Sequence, residues 1–241
     1  MNNFELISFQ TSDELAQSAA AAWLDEIETA NRAGNRHCVA LSGGRVTQKF
    51  FADAVALAQT RETSFANVHF FWADERCVPP TDAESNFKLA NELLFAPLKI
   101  AENQIHRLRG ELAPAAAVEI AIIELKQIVT NQTNDCPILD LILLGMGEDG
   151  HIASLFPGAL ATILDATAPF LVIENSPKPP PTRISLSYAC IAAAKKIWVL
   201  ASGNGKAAAL HESLDSQGKT PLARVIRSHP QIKIFSDITP I

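Results

Sequence analysis

Leu139-Asp140-Leu141-Ile142-Leu143-Leu144, running directly into Gly145-Met146-Gly147-Glu148-Asp149-Gly150-His151, is the stretch that decides the fold class. A short run that is apolar at almost every position has no polar face to give to water. It therefore reads as a strand covered on both sides, as in a parallel sheet, and the glycine-rich segment reads as the loop at its carboxyl end. Three other runs repeat the design. His37-Cys38-Val39-Ala40-Leu41 ends in Ser42-Gly43-Gly44, Val68-His69-Phe70-Phe71-Trp72-Ala73 ends in Asp74-Glu75-Arg76, and Ile197-Trp198-Val199-Leu200-Ala201 ends in Ser202-Gly203-Asn204-Gly205-Lys206. Helical stretches separate them. Thr11 and Glu14 have capping-box spacing before an Ala/Leu/Glu-rich run that Gly34 closes. Others pass through Phe50, Phe51, Val55 and Leu57, from Asn86 to Leu94, from Pro114 to Val129, and from Ala207 onward. Strands alternating with helices predict an α/β fold, a three-layer α/β/α arrangement on a mostly parallel, Rossmann-like sheet. With no repeat and no linker, residues 1–241 read as a single α/β domain.

Composition bounds the function. The chain has 241 residues, 48% of them hydrophobic and 19% charged, which is enough apolar surface to offset chain entropy and excludes disorder. A net charge of −6 argues against a broad electrostatic grip on nucleic acid. The opening MNNFELISFQTSDELA lacks the basic start and apolar core of a signal peptide, and no apolar run is long enough to span a bilayer. Cys38, Cys77, Cys136 and Cys190 form no C-x-x-C pair and read as buried thiols of a reducing compartment. A cytoplasmic protein without nucleic-acid or membrane partners is expected.

In open α/β sheets ligands bind beyond the carboxyl ends of the strands, so four loops that are far apart in sequence should share one edge. Ser42-Gly43-Gly44 lies between a strand and a helix, where close backbone approach and free N–H groups suit a phosphate; a plain tight turn is the alternative. Lys206 ends a second glycine-bearing loop at a helix start, without Walker spacing. Gly145 to Gly150 matches G-x-G-x-x-G literally, but Phe156-Pro157-Gly158 breaks the chain before a long helix can form, so a dinucleotide is not expected. Asp149 and His151 stand almost side by side: a neutral histidine there can be a general base, with the carboxylate fixing its tautomer. Asp74-Glu75-Arg76 either faces a ligand cleft or closes the end of the sheet with an ion pair. Asn86 reads as a simple N-cap or a site residue. Arg183, after Pro179-Pro180-Pro181, is either a surface arginine or a bidentate phosphate ligand. To reach the common edge, its strand Ile184–Tyr188 should run antiparallel within a mixed sheet. The remaining histidines have no metal spacing.

Phe71-Trp72-Ala73-Asp74-Glu75-Arg76 with Ser85-Asn86, and the thirteen positions from Gly145 to Pro157 (GMGEDGHIASLFP), resemble the 6-phosphogluconolactonase family, and the likeness runs from Leu41 to at least Leu210. The resemblance implies hydrolysis of 6-phospho-D-glucono-1,5-lactone to 6-phosphogluconate in the oxidative pentose phosphate pathway, with a sugar-phosphate lactone as partner and no metal or organic cofactor. It implies His151 as the base, with Asp74 and Asp149 orienting base, water or sugar hydroxyls. Ser42, Gly43, Gly44, Arg183 and Lys206 would hold the phosphate, and Arg76 would serve phosphate or oxyanion. Relatives usually follow Ser-Gly-Gly with Ser-Thr-Pro; Arg45-Val46-Thr47 departs from that and brings Arg45 to the phosphate site. A monomer or small homo-oligomer is expected.

Two other readings compete. Related isomerase-deaminases carry a glutamate five positions after the motif histidine, where this chain has Phe156, and tend to have Asp-Glu-Tyr where it has Asp-Glu-Arg. Non-catalytic sugar-phosphate sensors on the same fold usually add a helix-turn-helix domain, for which this chain has no spare residues.

Overall fold

The computed structural model describes residues 4–238. In chain order the strands are β1 (Phe4–Ser8), β2 (His37–Leu41), β3 (Val68–Trp72), β4 (Asp74–Arg76), β5 (Gln132–Thr133) and β6 (Cys136–Pro137). There follow β7 (Leu141–Gly145), β8 (Phe170–Ile173), β9 (Arg183–Leu186), β10 (Ile197–Ala201) and β11 (Ile232–Ser236). The helices are α1 (Ser12–Arg32), α2 (Arg45–Arg61), α3 (Asn86–Ala90), α4 (Ala96–Leu98), α5 (Pro114–Ile128), α6 (Ala161–Leu164), α7 (Tyr188–Ala193), α8 (Ala207–Leu214) and α9 (Pro221–Ser228). Thr11 caps α1 in a full capping box with Glu14, and Gly34 beyond its end takes a positive φ of 67°.

The central sheet has the order β1-β11-β10-β7-β2-β3, and every pairing in it is parallel. β2 and β10 are buried at all five positions, the burial their unbroken apolar runs require. Asp140, just before β7, is the polar exception, and its Oδ2 accepts the Cys38 N–H at 2.8 Å. Trp23 of α1 packs on Phe50 of α2 with ring centroids 5.4 Å apart, and on Phe70 of β3 at 6.4 Å. Full burial of such rings contributes about 1.5–3 kcal/mol each.

The chain leaves β2 toward β3 on one side, whereas β10, β11 and β1 extend the sheet from β7 on the other. The crevice between the carboxyl ends of β2 and β7 is thus the topological switch point, where open sheets of this kind bind ligands. Ser42-Gly43-Gly44 and Met146–His151 border it. β10 is not beside β2, because β7 stands between them. The phosphate-type loops are therefore not on neighbouring strands, and the glycine loop carrying His151 separates them.

The antiparallel strand expected around Arg183 exists, but outside the central sheet. β9 pairs antiparallel with β4 and β8 in a separate three-stranded sheet, ending at Leu186, and Tyr188 already belongs to α7. The chain crosses between the sheets at Ala73, whose N–H donates to Leu41 and whose carbonyl accepts from Leu186, both at 2.7 Å. Asp74-Glu75-Arg76, which reads as a loop, is consequently a strand. The sequence hides it because three consecutive charges carry no apolar signal. The helix expected from Asn86 to Leu94 is capped by Ser85 rather than Asn86, and continues through a π-helical turn (Asn91–Phe95) into α4.

Candidate active site

A cavity of about 400 Å³ opens at the switch point. Ser42, Asp74, His151 and Lys206, spread over most of the sequence, line it together. So do Gly43, Gly44, Arg45, Arg76, Asn86 and Arg183. A larger hollow of about 510 Å³ lies where β2 and α1 meet on the other edge of the sheet; there Lys195 pairs with Asp140, Lys196 with Glu26, and Arg36 donates to the Ile128 carbonyl.

β7 delivers His151 through a turn in which Gly147 N–H donates to the His151 carbonyl at 2.9 Å. The ring Nδ1 is bonded to Asp149 Oδ1. An ionised carboxylate can only accept, so Nδ1 carries the proton and Nε2 keeps its lone pair. Burial holds His151 below its ordinary pKa, against the opposing pull of Asp149. Burial disfavours the Asp149 carboxylate too, but its side-chain and backbone bonds to His151 and the nearby positive charge together outweigh that and keep it below its ordinary pKa. Asp149 itself does not line the cavity and reaches it only through His151. The ring also lies against Phe156, with centroids 4.6 Å apart. Because His151 stays neutral to lower pH than a free histidine, the acid limb of kcat/KM should fall below the usual value of about 6.5, a shift that a pH–rate profile checks. Gly147 is required for clearance, since a Cβ there would stand 2.0 Å from His151 Nδ1. Gly147→Ala is expected to lower kcat at least about tenfold by turning the ring off Asp149. An unchanged kcat would show that the ring pose is unimportant.

Alternation along β4 sorts its three charges. Asp74 and Arg76 face the cavity, and Glu75 points the other way. Glu75, 2% exposed, receives the N–H groups of Asn86 and Phe87, each at 2.8 Å, and the Ser85 hydroxyl at 3.1 Å. It ties the start of α3 to the second sheet. Asn86 Nδ2 in turn donates to the Asp74 carbonyl at 2.9 Å, and Ser154 Oγ donates to Asp74 Oδ2 at 2.7 Å. Gly43 is what admits Asn86 so closely: a Cβ at Gly43 would meet Asn86 Oδ1 at 2.0 Å.

Positive charge comes from two places. α2 begins at Arg45 after Gly44, with no side-chain cap and no acidic residue in its first turn. The buried Ser42 Oγ beside it has no hydrogen-bond partner. Free N–H groups, an unpartnered hydroxyl and a cation at the positive end of a helix dipole all favour an anion there. Burial, and after it the Arg45 guanidinium, hold the Lys206 ammonium below its ordinary pKa. The rest of the Lys206 loop does not repeat the cradle, because Ser202 Oγ and Gly203 N–H are both bonded to Asp237. The second place is the small sheet, where Arg76 and Arg183 are register partners. Like charges directly opposite destabilise a sheet unless they are compensated. Arg76 is held by Glu84. Arg183, 3% exposed, gives Nε–H to the Pro180 carbonyl, Nη2 to those of Lys178 and Pro179, and Nη1 to Ser154 Oγ, over the Phe156 ring at 5.7 Å. Neither a surface arginine nor a freely bidentate one, it retains a single uncommitted N–H.

Sequence reasoning passed over Lys178 and Ser154. Lys178 lines the cavity, and the only signal for it was a cation placed before three stiff prolines. Ser154 lies inside the thirteen-residue motif but is fully buried behind Asp74. No group of three His, Cys, Asp or Glu residues among those described is placed to hold a metal. The other described histidines mostly serve packing, His37 accepting from Trp23 and His69 pairing with His106. Cys38, Cys136 and Cys190 are buried and Cys77 half-buried, all as free thiols. Among the described residues no helix is long and apolar enough to cross a membrane.

A switch-point crevice holding an oriented histidine beside an uncapped, cation-lined helix start defines an α/β enzyme for a small anionic substrate. Comparison with known proteins makes this specific: the chain belongs to the glucosamine-6-phosphate isomerases/6-phosphogluconolactonase family, whose model matches residues 10–234. It is 34% identical over 211 residues to the 6-phosphogluconolactonase of Mycobacterium tuberculosis, covering 84% of this chain and 82% of that one. Among solved structures, a devB protein superposes with a TM-score of 0.84 at 31% identity, over 97% of this chain and 95% of that chain. The 6-phosphogluconolactonase from Trypanosoma brucei gives 0.82 at 25% identity, over 98% and 97%.

Proposed function

We propose that this protein is a 6-phosphogluconolactonase, hydrolysing 6-phospho-D-glucono-1,5-lactone to 6-phosphogluconate in the oxidative pentose phosphate pathway. The observation that carries the reading is the ring of Phe156 against His151. The related deaminases are expected to carry a glutamate at that position. An aromatic ring there leaves the histidine–aspartate pair as a base for water and leaves no carboxylate for ring opening of an amino sugar.

In this reading His151 Nε2 takes a proton from water as the water oxygen adds to the lactone carbonyl carbon. The C–O ring bond then breaks, and the ring oxygen takes that proton back. Asp149 fixes the tautomer of the base. Asp74, held by Asn86 and Ser154, faces the sugar and the incoming water. Ser42, Gly43 and Gly44 offer the start of α2 to the phosphate, with Arg45 and Lys206 on either side and Arg76 and the remaining N–H of Arg183 across the cavity. No metal or organic cofactor enters these steps. We take residues 1–241 as one cytoplasmic domain acting on a sugar-phosphate lactone as a monomer or small homo-oligomer, without nucleic-acid or membrane partners. One core that draws on elements from Leu15 to Ile238 supports the single domain. The test is lactone hydrolysis above the spontaneous rate, assayed beside glucosamine-6-phosphate deamination. Activity in the first alone is expected, and activity in the second alone overturns the reading.

A further inference from the structure

We propose that Glu148 limits the negative charge that this cavity holds. Its carboxylate, laid against the Lys206 loop, opposes every anion at the phosphate end, the most highly charged most strongly, and so keeps the phosphorylated product from lingering. The proposal rests on the lactonase reading for its ligand and adds a residue to which that reading gives no role.

One turn sends two carboxylates in different directions. Gly150 N–H donates to the Gly147 carbonyl at 3.1 Å, which sets Glu148 and Asp149 at the corner of the turn. Asp149 bonds His151 Nδ1 and has no surface in the cavity. Glu148 does line the cavity, and it crosses to the Lys206 loop. Its Oε1 stands 3.2 Å, and its Cδ 3.6 Å, from the point where a Cβ on Gly205 would lie. Gly205 directly precedes Lys206, so contact fixes the carboxylate at the anion end. The backbone of Gly205 takes no positive φ. What glycine supplies there is room for the carboxylate.

A negative charge is unexpected at that place. Five cations line the cavity against two carboxylates, Asp74 and Glu148. Asp74 accepts from Ser154 and Asn86. Among the described residues Glu148 has no cation within ion-pair distance. Two donors of the lining residues, Ser42 Oγ and Arg76 Nε, are buried without a partner, and the carboxylate satisfies neither. Burial and then Arg45 lower the Lys206 pKa, and Glu148 pulls it back up. The carboxylate and an incoming anion therefore act on the same ammonium from opposite sides. Glu148 is exposed, so water keeps it charged at little cost.

Specific sites combine attractive groups with repulsive ones. At a few ångströms in high dielectric, one unit charge opposes another by about fivefold in affinity, and the opposing free energy grows in proportion to the ligand's charge. A fixed carboxylate thus distinguishes anions by charge, whereas a merely steric wall would not.

Glu148→Gln and Glu148→Asp test this in the full chain, with orthophosphate and pyrophosphate as probes and dissociation constants read by NMR titration. Glu148→Gln should bind orthophosphate about threefold more tightly and pyrophosphate at least about tenfold more tightly, and product inhibition by 6-phosphogluconate should strengthen about threefold. Glu148→Asp keeps the charge and should stay within about twofold of the wild type. Weaker or unchanged anion binding in Glu148→Gln, an equal gain for the two anions, or a Glu148→Asp that matches Glu148→Gln overturns the assignment while leaving the lactonase reading intact. A wild-type chain that binds neither anion overturns it as well. A wild type that binds both but hydrolyses no lactone overturns the reading and leaves the charge limit in place.

Discussion

His151→Ala should lose about 10²–10⁴-fold of the catalysed lactone hydrolysis, the usual cost of removing a general base. Binding of 6-phosphogluconate, measured by calorimetry, should change little, because the cationic groups of the cavity remain in place. The lactone also hydrolyses unaided, so the comparison holds only after that background is subtracted. Asp149→Asn is expected to lose less. It leaves the ring in place but removes the carboxylate that holds the proton on Nδ1, so part of the population presents a protonated Nε2 to the water. Near-normal turnover in His151→Ala would move the base role to a carboxylate. Asp74 would then be the candidate, because Asp149 has no surface in the cavity.

Arg183→Ala should damage both binding and stability. Three carbonyl oxygens and the Ser154 hydroxyl lose their donor, and Phe156 loses the guanidinium stacked on it. Hydrogen bonds to charged groups contribute about 1.5–3 kcal/mol each, but the carbonyls near the rim regain water, so a net loss of about 3 kcal/mol is expected. In a chain of this size that lowers Tm by roughly 6–12 °C. KM for the phosphorylated lactone should rise at least about tenfold. Unphosphorylated gluconolactone should suffer too, because the Lys178 segment is released along with the anion contact. Of the two readings the sequence leaves open for Arg183, a surface arginine or a phosphate ligand, the second would leave that substrate untouched. Differential scanning calorimetry and steady-state kinetics on both lactones decide it. An unchanged Tm with a loss confined to the phosphorylated substrate would return Arg183 to the simpler role.

The division between what is local and what is not runs through this protein residue by residue. The sequence by itself determined four of the six central strands, β2, β3, β7 and β10 but not the outer β1 and β11, together with the capping box of α1 and the common edge of the site. Each of these depends on neighbours: an apolar run must be covered on both faces, and a strand followed by glycine must turn. It also paired His151 with Asp149, because those two stand only two positions apart. Only the tertiary structure decided that Asp74-Glu75-Arg76 is a strand. Its burial is made tolerable by partners 10 to 80 positions away, Ser85, Asn86 and Ser154, and no local pattern can announce them. The same holds for the placement of the two aspartates, Asp74 meeting the cavity and Asp149 standing behind the His151 ring. It holds equally for Lys178, which lines the cavity and whose carbonyl is bound by Arg183, five residues on. Charged groups need compensation wherever the fold buries them, and compensation is a matter of distance in space.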